Sequence, residues 1–252
     1  MAKNTNSVPE QEVLQGLNNP FNRRSFLRYT GAGMAVSALL LAGCDDDDDT
    51  TTPNTTGTVN LGSNDVGILN YAYALEQLEA AFYTAVVALP NFSTLFPSAV
   101  ERQVLTDIRN HEVAHREFFK AAITANAANQ IIPSLTPNLP ASALASRASI
   151  LSTAKTFEDL GVAAYNGAGK LLTNATFLGL AGKIVSVEAR HAAEIRDMIE
   201  NGTFASGDSG IIPGRMIVDA NGLDVALTPA QVLAAAQPFI MEKLNGSNLP
   251  TT

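Results

Sequence analysis

The chain contains the same helical hairpin twice, and this repeat restricts its fold more than any other feature. Leu75-Glu76-Gln77-Leu78-Glu79-Ala80-Ala81-Phe82-Tyr83 aligns with Phe157-Glu158-Asp159-Leu160-Gly161-Val162-Ala163-Ala164-Tyr165, with Glu, Leu, Ala and Tyr at the same offsets. Glu112-Val113-Ala114-His115 and Glu188-Ala189-Arg190-His191 then follow as two copies of Glu-x-x-His. From Asn64 onward apolar residues recur at three- and four-residue intervals, the period of a helix with one buried face. A first helix is expected from about Asp65 to Leu89, capped by Asn64 and ended by Pro90. A second runs from about Ala99 to Asn126, opened by Ser98 with Glu101 three residues later as a capping box. Residues 127–140 hold Pro133, Pro137 and Pro140 and form a crossover. The third helix lies within 142–172 and the fourth within 176–201, closed by Asn201-Gly202. Gly161, Gly167 and Gly169 each cost the third helix about 1 kcal/mol, but the apolar pattern runs through them and small residues allow close helix approach. The fold class is therefore all-α, a four-helix bundle over residues 64–202.

Residues 203–252 form an extension. Its first part, 203–227, is rich in Gly and Asp, and the patch Ile211, Ile212, Met216, Ile217, Val218 suggests a small hairpin. Thr228-Pro229 starts a last helix to about Leu244, and the whole reads as a lid or brace.

The chemistry lies in the repeated glutamates and histidines. Residues three apart on a helix project from one face, so each Glu-x-x-His presents a carboxylate and an imidazole together. With Glu76 and Glu158 from the other two helices, four carboxylates and two imidazoles converge on the bundle centre. Their charge balances two divalent cations, and such a group is badly placed in a core without them. Glutamate fills 12 of 252 positions, so coincidence puts one three residues before a given histidine only about 5% of the time. Two of the three histidines meet that condition. Carboxylates mixed with imidazoles suit iron or manganese, and the lack of thiolates argues against structural zinc.

This pattern resembles the ferritin-like superfamily of di-iron and di-manganese carboxylate proteins over residues 65–201. The resemblance implies an antiparallel bundle with a long crossover between the second and third helices. It implies two iron ions, or manganese, held by Glu76, Glu112, His115, Glu158, Glu188 and His191, with Glu112 and Glu188 bridging. The segments Leu-Thr-Pro-Ala-Gln and Gln-Pro-Phe-Ile, from Leu227 and Gln237, are similar to desiccation-associated ferritin-like proteins of bacteria and plants.

Neighbouring groups carry their own expectations. Glu79 shares a face with Glu76, but its counterpart in the repeat is Gly161, so it reads as a supporting or surface carboxylate rather than a ligand. Tyr83 and Tyr165 are candidates for holding a ligand carboxylate or for redox, against the plainer role of core aromatics with satisfied hydroxyls. Asp159 reads as solvent-facing, with a hydrogen bond to a ligand histidine as the alternative, and His111, lacking a Glu partner and about 100° from Glu112 around the helix, as peripheral. Glu117, Glu194 and Glu200 read as solvated faces, with Glu194 within reach of an access channel.

The N-terminus concerns localisation. Arg-Arg-Ser-Phe-Leu-Arg at 23–28 and the apolar run Gly31 to Gly43 resemble a twin-arginine signal, and the run falls short of the roughly 20 residues that span a bilayer. Leu41-Ala42-Gly43-Cys44 resembles the lipobox of bacterial lipoproteins, which implies a signal peptide over 1–43 and a lipid on Cys44. The product would face the periplasm or the cell surface on a membrane. As Cys44 is the sole cysteine, no intrachain disulfide can form. Residues 44–63, beginning with Asp45 to Asp49, read as a self-repelling tether or a sorting signal. A net charge of −8 argues against a nucleic-acid partner.

Three functions fit these features. The first is a redox enzyme of ferroxidase, peroxidase or manganese-catalase type acting on a small-molecule oxidant. The second is iron binding without turnover, where the anchor and extension favour a monomer or small homo-oligomer over a storage cage. The third is a stress-protective envelope protein with the metal as a fold staple.

Overall fold

The computed structural model describes residues 57–208, 210–211 and 216–251. The expected signal segment, Cys44 and most of the tether lie outside the described residues. Four long helices dominate: α1 (Asn64–Val87), α3 (Ala99–Ala127), α4 (Arg147–Ala168) and α5 (Ala175–Ile199), with a short α2 (Phe92–Leu95) between the first two. Helix α1 packs along α3, and α4 along α5. The two hairpins close on each other through Phe82 of α1 and Phe157 of α4, edge to face at 5.2 Å. Among the described residues no helix is long and apolar enough to cross a membrane.

The helix ends follow local chemistry. Helix α1 begins one residue earlier than expected: Ser63 is the N-cap, and Asn64 adopts φ 55. It ends at Val87, two residues before Leu89, because the residue before Pro90 is pushed out of helical geometry. Ser98 accepts the Glu101 N–H at 3.4 Å, but the carboxylate of Glu101 turns to Arg147 rather than back to the cap, so only half of the expected box forms. A complete capping box opens α4 instead, from Ser146 and Ser149. Asn174 caps α5, and Gly202 at φ 87 turns the chain beyond it.

The crossover is irregular but not loose. Asn70 and Gln77, buried on α1 two turns apart, act as amide brackets for it. Asn70 donates to Gln130 O at 2.8 Å and accepts from Ile132 N, while Gln77 accepts from Leu135 N at 2.8 Å. These bonds supply the partners that a buried extended chain lacks.

The extension departs from expectation in three places. The last helix, α6 (Pro229–Ala236), stops well before Leu244; a 3-10 turn over Gln237–Phe239 follows, and Lys243–Asn245 is a strand, β2. Pro238 has no N–H for a continuing helix. The partner of β2 is β1, Thr58–Asn60, which pairs with it in parallel, Thr58 opposite Lys243 and Asn60 opposite Asn245. Residues 58–61, expected in the tether, thus belong to the folded body, and Leu61 is fully buried. The expected hairpin amounts to two isolated antiparallel bridges, Asp208 with Met216 and Val218 with Asp224, and Ile212 lies outside the described residues. The brace is real in the contacts it makes. Glu242 accepts from Thr136 N at 2.9 Å, and Leu227 N donates to Ala163 O of α4 at 3.0 Å.

Candidate metal centre

Each long helix carries its site residues near its middle, where the apolar stripe is deepest. Glu76, Glu112, Glu158 and Glu188 are all 0% exposed, and His191 and His115 are nearly buried. The fold brings together all six residues of the two half-motifs. They form two groups of four: Glu76, Glu112, His115 and Glu188, then Glu112, Glu158, Glu188 and His191, with the ligand atoms of each group within 4.8 Å of one another.

The atoms divide evenly. His115 Nδ1 lies 2.8 Å from Glu188 Oε1, 3.4 Å from Glu76 Oε2 and 3.5 Å from Glu112 Oε2. His191 Nδ1 lies 2.7 Å from Glu112 Oε1, 3.5 Å from Glu158 Oε2 and 3.9 Å from Glu188 Oε2. Glu112 and Glu188 therefore give one oxygen to each group. None of these eight atoms has an aligned hydrogen-bond partner despite the short separations. Buried polar atoms rarely go unsatisfied. Each group is close enough together that it could hold a metal ion, which would satisfy these atoms.

The remaining oxygens of Glu76 and Glu158 are taken by tyrosines in a crossed pattern. Tyr83 of α1 donates to Glu158 Oε1 of α4 at 2.5 Å, and Tyr165 of α4 donates to Glu76 Oε1 of α1. Both rings are buried core aromatics whose hydroxyls are satisfied by a site carboxylate, so the two sequence readings coincide.

Electrostatics reflect the crowding. Burial, against the pull of His115, lifts Glu76 to about 7, and burial with the neighbouring carboxylates pushes Glu188 well above its usual range. Burial also works against the charge of Glu112, but the two imidazoles offset it and hold that pKa down to about 2. Burial opposes the His191 cation too; Glu158 and Glu112 overcome it and raise the pKa to about 11. His115 shifts upward in the same way.

Two neighbours depart from expectation, and a third follows it. Glu79 is the supporting rather than the surface carboxylate: it is buried, it lies outside both ligand groups, and a Cβ on Gly161 would lie 3.0 Å from its Oε1 and 3.6 Å from Glu188 Oε2. The glycine that breaks the repeat is the space that Glu79 fills. Asp159 is buried rather than solvent-facing, gripped by Arg196 through Nε at 3.0 Å and through Nη2. Arg196 also donates to Ser206 O at 2.8 Å, tying the extension to α5. His111 is not peripheral, since its Nδ1 lies 2.9 Å from His191 Nε2. A signal for it existed, because His111 and His115 are four residues apart and share a helix face. Its lack of a Glu partner and its offset from Glu112 suggested otherwise.

A cleft of about 340 Å³ between α3 and α5 reaches the site, with His111, His115 and His191 on its wall and Asp107, Arg190 and Glu194 also lining it. The family described as a ferritin-like domain matches residues 64–201, from the first residue of α1 to just past the end of α5. The chain belongs to this ferritin-like family. A comparison with curated proteins finds no match. The ferritin-like domain thus covers the four long helices and all six site residues, while β1, α6 and β2 lie outside the match.

Proposed function

We propose that the ferritin-like domain holds a dinuclear iron centre, with manganese as the alternative, and performs oxidase or peroxidase-type chemistry on dioxygen, peroxide or ferrous iron. The observation that carries this reading is the set of eight buried ligand atoms, four to a group, with two glutamates shared. Glu112 and Glu188 would bridge the two positions, Glu76 and His115 completing one and Glu158 and His191 the other. When bound, such a metal pair supplies two-electron exchange with an oxidant.

The protein's own residues prepare the site. Tyr83 and Tyr165 hold the outer glutamates by their second oxygens, so each offers a single oxygen inward. Phe82 and Phe157 pack edge to face between the two hairpins, while the cleft lined by His111 admits small polar reactants. The shared carboxylates also make the metal pair a staple across all four helices, which supports the non-catalytic, stress-protective reading as the alternative.

The twin-arginine-like segment and Cys44 support export and lipid anchoring, and a monomer or small homo-oligomer is the assembly that suits an anchored chain. Metal analysis of natively purified protein, followed by mixing with hydrogen peroxide, tests the reading. About two iron or manganese ions per chain and loss of peroxide are expected. Bound metal without peroxide loss, and without a change in metal absorbance under dioxygen, leaves the staple role; no bound metal rejects both.

A further inference from the structure

We propose that His111 is a positioning residue for this centre: its Nδ1 accepts the Nε2–H of His191 and so fixes the imidazole that presents Nδ1 to the carboxylates. The proposal rests on the di-metal reading of the site.

The two nitrogens are 2.9 Å apart, the ring planes differ by 11°, and the centroids are 5.1 Å apart. That centroid separation is close to the contact distance plus the two ring radii. The rings therefore meet edge to edge along the N···N line, as a hydrogen bond requires, rather than face to face. The direction of the bond follows from the other side of His191. Its Nδ1 points at Glu112, Glu158 and Glu188, where it would ligate a cation. An imidazole that ligates through Nδ1 keeps its one hydrogen on Nε2, which must then donate. His111 Nδ1 is then the acceptor, with its own proton on Nε2.

A ligating imidazole needs such a partner, because otherwise its ring can turn and its tautomer is free to change. Carboxylates or backbone carbonyls commonly supply it; here a third histidine does so, from the wall of the open cleft. His111 is itself exposed, so its side chain can be replaced without opening a cavity in the core.

Three full-length variants test the assignment. Asn at this position places an oxygen near the site of Nδ1, Phe keeps the flat ring without an acceptor, and Leu removes both. Anaerobic titration with ferrous or manganous ion is expected to show His111→Leu and His111→Phe weakened by about 10- to 100-fold at one of the two metal positions, with His111→Asn close to the unaltered protein. Nitrogen-15 spectra of the protein loaded with zinc as a diamagnetic probe should show His191 Nε2 protonated and hydrogen-bonded, and that signature should be lost in His111→Leu and kept in His111→Asn. Thermal melting of all three near the unaltered protein excludes a folding defect as the cause. Full affinity in His111→Phe, or an unchanged His191 signature in His111→Leu, overturns this proposal alone. Failure of the unaltered protein to bind either metal overturns the di-metal reading and the proposal together.

Discussion

Tyr83 and Tyr165 each hold a glutamate of the opposite hairpin, and their loss would act on the centre before it acted on the fold. Tyr83→Phe frees Glu158 Oε1, and Tyr165→Phe frees Glu76 Oε1, leaving a buried carboxylate without its donor. Each variant is expected to lower metal affinity by about 10- to 100-fold while keeping helical content, as read by metal titration and circular dichroism. The same residues set a pH dependence. In the metal-free protein Glu76 keeps its proton until about pH 7, whereas the unfolded chain loses it near 4.5. Stability from this group is present below 4.5 and lost as pH rises through 7. Glu79 and Glu188 shift in the same direction, and His191 extends the loss from 6.5 toward 11. Glu112 has the opposite sign, contributing above 4.5 and losing its contribution as pH falls through 2. Cations take the place of protons in the site, so metal should raise Tm more near pH 7.5 than near pH 5. Equal increments in calorimetry at the two pH values would count against the site as described.

At the scale of elements, the glycines of α4 separate two kinds of close approach. A Cβ on Gly167 would lie 1.7 Å from Leu227 O, a backbone atom that itself belongs to a bonded segment. Gly167→Ala must therefore displace α4 or the extension, costing about 1–3 kcal/mol. In a domain of this size Tm should fall by about 2–4 °C for each kcal/mol. At Gly161 the nearest atom is the end of the flexible Glu79 side chain, so Gly161→Ala should melt higher than Gly167→Ala. Differential scanning calorimetry of the pair checks the order. The four long helices and the convergence of the six site residues were legible in the sequence, because a 3.6-residue period repeated over many turns outweighs local exceptions. The repeat set Glu79 apart from the ligands but did not choose between a buried and a surface place for it. The Gly161 opposite it signalled compensation across helices, which a linear alignment does not express. Asp159 has its partner on another helix, at Arg196. The paired strands β1 and β2 are three residues each, too short to show alternation, and they lie near opposite ends of the described body. Their pairing is a tertiary fact with no local trace.

On the scale of the whole molecule, an N-terminal segment that resembles an export signal precedes the described body, whose first strand starts at Thr58. If Cys44 carries a lipid, Cys44→Ser should move the protein from the membrane fraction to the soluble exported fraction. Replacing Arg23 and Arg24 together by Lys should instead retain it unprocessed, as immunoblots of cell fractions would show. Metal stoichiometry of the Cys44→Ser protein should equal that of the anchored form, because the described body supplies every site residue. That body also has an unusual relation between its ends. Asn60 and Asn245 are neighbours in register, joined further by a side-chain bond at 2.6 Å, although they are 185 positions apart. The backbone thus nearly completes a loop, with entrance and exit meeting at one seam. A short linker across that seam would turn the body into a ring, which could be cut anew in the connection between α1 and α3. Such a rearranged chain would keep the four long helices and all six site residues, with α1 moved to the end of the order.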